Sequence, residues 1–373
     1  MSGPARQPDG AAFPRLLDRV RVLNMKFFSA RKLLGIMLAI AVNGPSPRAL
    51  AAPHDPLQIF FIDVEGGQST LFVTPSQHSF LIDTGWPGNE GRDADRIAAA
   101  AKTAGIKRID YVLLTHYHVD HAGGVPQLVA KIPVGTFIDH GPNRETESKS
   151  SIQAYEAYQK VLADGHFGHI VAKPGDVLPI PELKVTVVSA DGNLLTQPLP
   201  GAGAANPFCG SSTDLQADET ENARSLGVDI LFGKLKILDL GDLTRDKEAT
   251  LMCPINRVGH IDLLVVSHHG LAKSSGKALV DGISPRVAIM DNGAKKGGSP
   301  EVWEIVTKAP GLEDLWQLHF SEEGGPSHNV TERQIANLQG SDTGYYLKVT
   351  ALEGGRFEVF NSRNGATKAY PPK

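Results

Sequence analysis

An α/β fold is what this sequence predicts, on two observations. From Pro56 onward, short β-rich runs alternate with helical ones, without internal repeats or a Pro/Gly/Ser-rich linker between them. Three runs, residues 109–114, 234–240 and 261–266, are almost continuously apolar, the pattern of strands buried on both faces. Each is followed by polar residues of metal-binding type, and the loops beyond buried strand ends are where α/β folds build their sites.

The elements follow in order. Residues 57–64, 69–74 and 79–83 read as three strands separated by the turn residues Glu65-Gly66-Gly67 and Pro75-Ser76-Gln77. Residues 92–104 are alanine-rich with apolar periodicity and stop at Gly105, so they read as a helix. Residues 144–165 form a polar loop and an amphipathic helix carrying Ile152, Tyr155, Tyr158, Val161 and Leu162, and residues 195–220 are rich in Gly, Ala and Pro. Both are expected as insertions over the site, with possible substrate contacts, inside one domain spanning 52–373.

Residues 1–51 are set apart as an N-terminal extension and signal peptide beginning at Met25. Lys26, Arg31 and Lys32 lead into the apolar residues 33–42, then Pro45 and Pro47, then Ala49-Leu50-Ala51 as the cleavage signal. About ten apolar residues cannot span a bilayer of roughly 30 Å, so stable membrane insertion is not expected and the location is periplasmic or secreted. The extension holds eight of the 37 basic and two of the 41 acidic residues, so the rest carries a net charge of −10. That repels a long polyanion, and no basic run with interleaved aromatics offsets it. Cys209 and Cys253 are the two cysteines and are free to pair in an oxidising compartment, but sequence supplies no distance between them.

The chemistry gathers after residue 114, in Thr115-His116-Tyr117-His118-Val119-Asp120-His121. Neutral imidazoles and a carboxylate suit a borderline divalent cation such as zinc, and this spacing lets one turn serve two adjacent metal positions. Asp242 follows residues 234–240, and Ser267-His268-His269-Gly270 follows 261–266. His140, in Asp139-His140-Gly141, ends another expected strand.

Residues 115–121 resemble the signature of the metallo-β-lactamase superfamily, which implies an αββα sandwich holding one or two metals between its sheets. Within that resemblance, which runs from about 57 to 360, Asp83-Thr84-Gly85 is similar to the motif whose aspartate supports the metal loop. Leu240-Gly241-Asp242 resembles the motif whose aspartate bridges two metals, and Ser267-His268-His269-Gly270 the one giving the last histidine. His269 is the preferred ligand, with His268 as an outer or substrate group. The family's usual histidine some twenty residues before the bridging aspartate is replaced here by Asn222, a weak neutral ligand.

Glu221-Asn222-Ala223-Arg224-Ser225-Leu226 is similar to the hydrolase-like domain of the ComEC family of DNA-uptake competence proteins. So are Asp63-Val64-Glu65-Gly66-Gly67-Gln68, with Asp63 as a supporting residue, His268-His269-Gly270 with Ser274-Ser275, and Pro285-Arg286-Val287-Ala288-Ile289-Met290. Glu65 and Gln68 depart from the glycine and aspartate expected there. The likeness is to that domain alone and brings no DNA-uptake role with it.

The resemblance implies metal-assisted hydrolysis with one or two zinc ions, manganese being the alternative. The ion lowers the pKa of bound water from about 15.7 toward 7. His116 and His118 hold one position, Asp120, His121 and His269 the other, with Asp242 between. Asp120 orients the nucleophile, and His140 protonates a leaving group or touches substrate. Three readings follow: a hydrolase of a small or short phosphoester, in first place a phosphodiester; a lactamase or lactonase; or a non-catalytic metal- or DNA-binding module.

Overall fold

Strand β1 (Leu57–Phe61) is apolar except for Gln58, so alternation sends Ile59 and Phe61 to one face and Phe60 to the other, and these three are buried. A sheet apolar on both faces needs cover on both, and that requirement dictates the layers. A computed structural model describes residues 55–212, 215–340 and 342–373, so the signal segment expected at 25–51 lies outside the described residues.

The first sheet opens with β1, β2 (Thr70–Val73), β3 (Ser79–Ile82), β4 (Ile109–Leu113), β5 (Val134–Asp139) and β6 (Gly168–Val171). The chain then builds the second from β7 (Val177–Leu178), β8 (Lys184–Ala190), β9 (Asn193–Leu194), β10 (Gly227–Phe232), β11 (Leu235–Asp239), β12 (Leu263–Val265), β13 (Val287–Met290), β14 (Asp314–His319) and β15 (Ile335–Asn337). It returns to the first with β16 (Leu347–Ala351), β17 (Phe357–Asn361) and β18 (Thr367–Tyr370). The orders are β18-β17-β16-β1-β2-β3-β4-β5-β6 and β15-β14-β13-β12-β11-β10-β8-β7, with β9 paired to β8. From β3 to β6 and from β11 to β15 the pairing is parallel.

Between the sheets, Phe72, Phe80 and Ile82 pack with Val228, Ile237, Val265 and Trp316. On the outer face of the first sheet, Phe60, Leu81 and Val112 meet Ile97 of α1 (Arg92–Thr103), Leu128 of α3 (Val125–Lys131) and Tyr158 of α4 (Lys149–Asp164), the single turn α2 (Val119–Ala122) lying at the strand ends. Beyond the second sheet, Leu238, Leu264 and Ala288 meet Leu251 of α5 (Arg245–Met252), Leu279 of α6 (Lys277–Ile283) and Val306 of α7 (Pro300–Thr307). Each such fully buried side chain contributes about 1.5–3 kcal/mol. The layers are the αββα sandwich that the sequence predicts.

The two insertions depart from the expectation that they cover the site. Helix α4, capped by Ser148 accepting from Ser151 N at 3.3 Å, packs on the outer layer because Tyr158 and Ala154 are its buried face; only the loop before it reaches inward, through Glu145. The described part of residues 195–220 lies largely along α5 and α6. Asn206 Nδ2 donates to Met252 O and Ala278 O at 3.2 and 2.9 Å, and Cys209 is disulfide-bonded to Cys253. Among the described residues, no helix is long and apolar enough to cross a membrane.

The disulfide closes a sequence separation of 44 residues, for which loop entropy gives about 4 kcal/mol. The Cys209→Ser/Cys253→Ser chain is therefore expected to melt roughly 5 °C or more below the parent. Calorimetry with and without reductant checks this, and a melting temperature indifferent to both changes refutes it. A pH effect is also expected. Burial pushes Glu248 up to about 7 although Gly276 N and Ser275 N donate to it, at 2.7 and 2.8 Å. The folded carboxyl thus holds its proton more tightly than the unfolded one. Its contribution is full below the ordinary value of 4.5 and fades as pH rises through about 7. Between pH 5 and 8 the parent's melting temperature should fall relative to that of Glu248→Gln, and parallel profiles would count against the assignment.

Candidate metal centre

Apart from Asn222, every ligand candidate sits beyond the end of a buried strand that pairs in parallel with a neighbour. Leaving β4, Thr115 meets Asp83 at the end of β3: Asp83 Oδ1 accepts from Thr115 N at 2.8 Å, and Oδ2 accepts from Thr115 Oγ1 and His121 Nδ1, both at 2.7 Å. Thr84 N and Oγ1 both donate to His121 O at 2.8 Å. The α2 turn is thereby pinned with His121 Nε2 facing inward. After β11, Gly241 turns the chain at φ 56°, where a Cβ would lie 2.8 Å from Thr115 Cβ, and delivers Asp242. After β12, His268 and His269 both take left-handed backbone, φ 57° and 55°. Such strain, about 1–3 kcal/mol per residue, persists only where neighbours enforce it. Here His268 N donates to Gly241 O at 3.0 Å, and His268 O and His269 O accept from Leu271 N and Gly298 N at 2.8 and 2.9 Å.

Asp120, His121, Asp242 and His269 converge. His121 Nε2 lies 3.3 Å from Asp120 Oδ2, 3.3 Å from Asp242 Oδ2 and 3.2 Å from His269 Nε2. His269 Nε2 lies 3.3 Å from Asp120 Oδ2 and 3.5 Å from Asp242 Oδ1. Donors around a tetrahedral ion with bonds of about 2.0–2.1 Å stand roughly 3.3–3.4 Å apart, so these four residues match a zinc-sized cation. His116, His118 and Asp242 form an adjoining group whose ligand atoms lie within 4.8 Å of one another, with His116 Nε2 3.8 Å from Asp242 Oδ2. Asp242 belongs to both groups. His116 Nε2, Asp242 Oδ1 and Asn222 Oδ1 are buried without a hydrogen-bond partner among the described residues, which fits a donor set shaped for a cation.

The other ring nitrogens of His121, His118 and His116 are hydrogen-bonded outside the cluster, the arrangement that orients metal-binding imidazoles, whereas that of His269 only faces a carboxylate. His121 Nδ1 has Asp83, and His118 Nε2 has Glu145 Oε2 at 2.8 Å. His269 Nδ1 faces Asp291 Oδ1 at 3.5 Å, and His116 Nδ1 has Thr115 Oγ1 at 3.0 Å. His268 puts Nδ1 3.2 Å from Ser274 Oγ and Nε2 3.3 Å from Asp242 Oδ2, as an outer partner of that carboxylate.

Charge follows the same geometry. Burial pushes the carboxyls of Asp242 and Asp120 upward, yet the histidines and, for Asp120, Lys296 hold both well below the usual carboxylate range. Burial lowers His121, but Asp242, Asp120 and Asp83 around it hold it well above the usual imidazole value. Burial, with His121 and His118 adding to it, keeps His116 well below, so its lone pair is available. Burial likewise depresses His268 to about 4.

One expectation changes. His140, expected to protonate a leaving group, has a fully enclosed side chain with Nε2 on Glu221 Oε2 at 3.0 Å. Glu221 also accepts from Tyr117 N and Arg144 N, at 3.3 and 2.9 Å, so His140 braces the walls of the centre and no reacting atom can reach it. Asp63, expected as a supporting residue, lies beside the cluster and not in it. It accepts from Glu65 N, His319 Nε2 and Arg96 Nη1 at 2.9, 2.7 and 2.9 Å, shaping the loop whose Gln68 N donates to Asp120 O at 3.2 Å. Asn222 is buried on a helical turn three residues before Ser225, whose Oγ accepts from Asp242 N at 3.2 Å.

Sequence reasoning missed Glu145, Glu221, Trp86 and Lys296. The Lys296 ammonium pairs with Asp120 and lies 5.2 Å from the Trp86 ring centroid. The only hint in the sequence was a glycine-rich loop, Gly293-Ala294-Lys295-Lys296-Gly297-Gly298, placed after an apolar strand.

A two-sheet sandwich holding clustered histidines and aspartates at its strand ends defines a metal-binding class of fold. Residues 63–205 match the family model of the metallo-beta-lactamase superfamily. ComE operon protein 3 of Bacillus subtilis (strain 168) is 26% identical over 250 residues, which cover 63% of this chain and 28% of that protein. The chain thus spans well under a third of that relative's length. Among solved structures, CmlA, a diiron beta-hydroxylase from Streptomyces venezuelae, aligns at 16% identity over 69% of this chain and 48% of its own, with a TM-score of 0.36. MEM-A1, a subclass B3 metallo-beta-lactamase from a soil metagenome library, aligns at 15% over 58% and 80%, with a TM-score of 0.35.

Asp83→Asn should weaken metal binding about 10–100-fold, because His121 loses the carboxylate that orients it. Competition against a chromogenic chelator, with circular dichroism to verify folding, measures this. Undiminished affinity in the folded variant would remove Asp83 from the metal loop's support.

Proposed function

We propose that this chain is a metal-dependent hydrolase of a phosphoester, in first place a phosphodiester, working in the periplasm or outside the cell. The observation that carries this reading is the four-donor cluster of Asp120, His121, Asp242 and His269 with His116 and His118 adjoining it. A bound divalent ion, zinc or else manganese, supplies Lewis acidity and acidifies water at neutral pH. Asp120, His121, Asp242 and His269 would hold one such ion; His116, His118 and Asp242 would hold another, more weakly because Asn222 stands where a histidine is usual.

The chain's own groups do the rest. Asp120 is kept ionised by its histidine neighbours and is placed to accept a proton from attacking water. His268, neutral and held by Ser274, keeps Asp242 from turning away. Substrate is expected to be small or short, since the net charge of −10 beyond residue 51 opposes a long nucleic acid. The segments similar to the ComEC-family hydrolase-like domain favour a phosphoester over a lactam, and the chain's likeness to ComE operon protein 3 agrees with that resemblance.

Zinc- or manganese-loaded chain is expected to hydrolyse bis-p-nitrophenyl phosphate and to leave a β-lactam and a lactone largely intact. Chelation should abolish the activity, and Asp120→Ala should lower kcat by about a hundredfold or more. Turnover of the lactam alone would overturn the phosphoester reading, and an Asp120→Ala chain as active as the parent would overturn the mechanism.

A further inference from the structure

We propose that Lys296 is the anion-binding residue of this centre and that it selects substrates carrying a negative charge beside the reacting bond, a phosphodiester monoanion before a neutral ester. The inference rests on the metal-dependent reading above and names the kind of group that the site takes.

Position is the first ground. Lys296 pairs with Asp120, one of the four converging donors, yet its side chain is 29% exposed whereas that of Asp120 is 7% exposed. The ammonium therefore stands at the mouth of the cluster, where an incoming group arrives. The Trp86 ring, 5.2 Å away, gives it a second partner there that does not depend on Asp120.

The loop that carries it is the second ground. Gly293 N donates to Lys296 O at 2.8 Å, Glu322 N to Ala294 O at 2.8 Å, Gly298 N to His269 O at 2.9 Å and Ser321 Oγ to Gly297 O at 3.0 Å. At Gly297, with φ 87°, a Cβ would stand 2.1 Å from His269 O. The loop is thus fastened to the backbone of a ligand candidate, so the lysine's placement is tied to that of the metal position.

Charge completes the case. Asp120 and Asp242 together carry two negative charges, which one divalent ion balances. Lys296 neutralises Asp120 only while no ion does so, and once the cluster is loaded its positive charge is in excess at a half-buried position. A half-buried cation needs a counter-charge, and an anionic substrate is the partner that the mouth of the site admits. A neutral ester leaves that charge uncompensated.

The test uses the full chain loaded with zinc, titrated calorimetrically with inorganic phosphate and assayed with bis-p-nitrophenyl phosphate. Lys296→Met should weaken phosphate binding about tenfold or more and raise KM for the diester more than it lowers kcat, while Lys296→Arg should restore most of both. Zinc content by mass spectrometry should match the parent's in each variant, which a merely structural lysine would not guarantee. Phosphate binding that is absent in the parent or unchanged in Lys296→Met, or zinc lost from Lys296→Met, overturns the proposal. If the parent binds phosphate through Lys296 but leaves the diester intact, the hydrolase reading falls and the anion site stands.

Discussion

Two carboxylates, Asp120 and Asp242, are enclosed at the ends of strands from different sheets, and neither can stay ionised there without cations around it. That demand organises the centre. His121 lies between them and Asp83, so three carboxylates hold a proton on one imidazole, and Lys296 closes the outer side. His116 and His268, which face fewer compensating carboxylates, stay neutral. One cluster thus contains both a proton-laden position that an ion can take over and lone pairs ready to bind it, the coupling of metal and proton that such donor sets impose.

The scaffold makes that crowding possible by sharing its tight contacts. The first sheet contributes through Asp83 and the α2 turn, the second through Gly241 and the strained pair His268-His269, and the bond from Ser225 Oγ to His116 Nδ1, at 3.5 Å, crosses from one to the other. Leu226 N donates to Thr115 O at 2.7 Å, so the turn bearing Asn222 is fastened to the loop bearing His116. Parallel strands supply what such precision needs, because several end on the same side and each end is fixed by a buried apolar run.

What was legible in the sequence was whatever repeats or alternates. The helix expected at 92–104 is α1, and the apolar runs ending at 114, 240 and 266 contain β4, β11 and β12. The metal-type residues were legible because their spacing is dense and follows such runs. Glu145, Glu221 and Lys296 were not, because each acts across a distance in sequence that no local pattern records: 27 residues separate Glu145 from His118, 81 separate Glu221 from His140, and 176 separate Lys296 from Asp120. His140 was misread for the same reason. Its place at a strand end was evident, and the buried carboxylate that engages it was not. The Cys209–Cys253 bond likewise depended on a proximity, with Cα atoms 5.8 Å apart, that only the packing of residues 195–220 on α5 creates.

The two donor groups that share Asp242 differ in composition and in charge. The group of His116, His118 and Asp242 brings three residues where the other brings four, and the Glu145 carboxylate steadies His118 within it. At the other position four donors already stand at ligand spacing, and the tethered ammonium adds positive charge beside them. The asymmetry shifts the centre's charge toward the Asp120 side, where the lysine is also exposed. On the proposal above, a group bearing negative charge would be drawn to that side, which would set the direction of its approach without calling on any residue beyond the cluster and its rim.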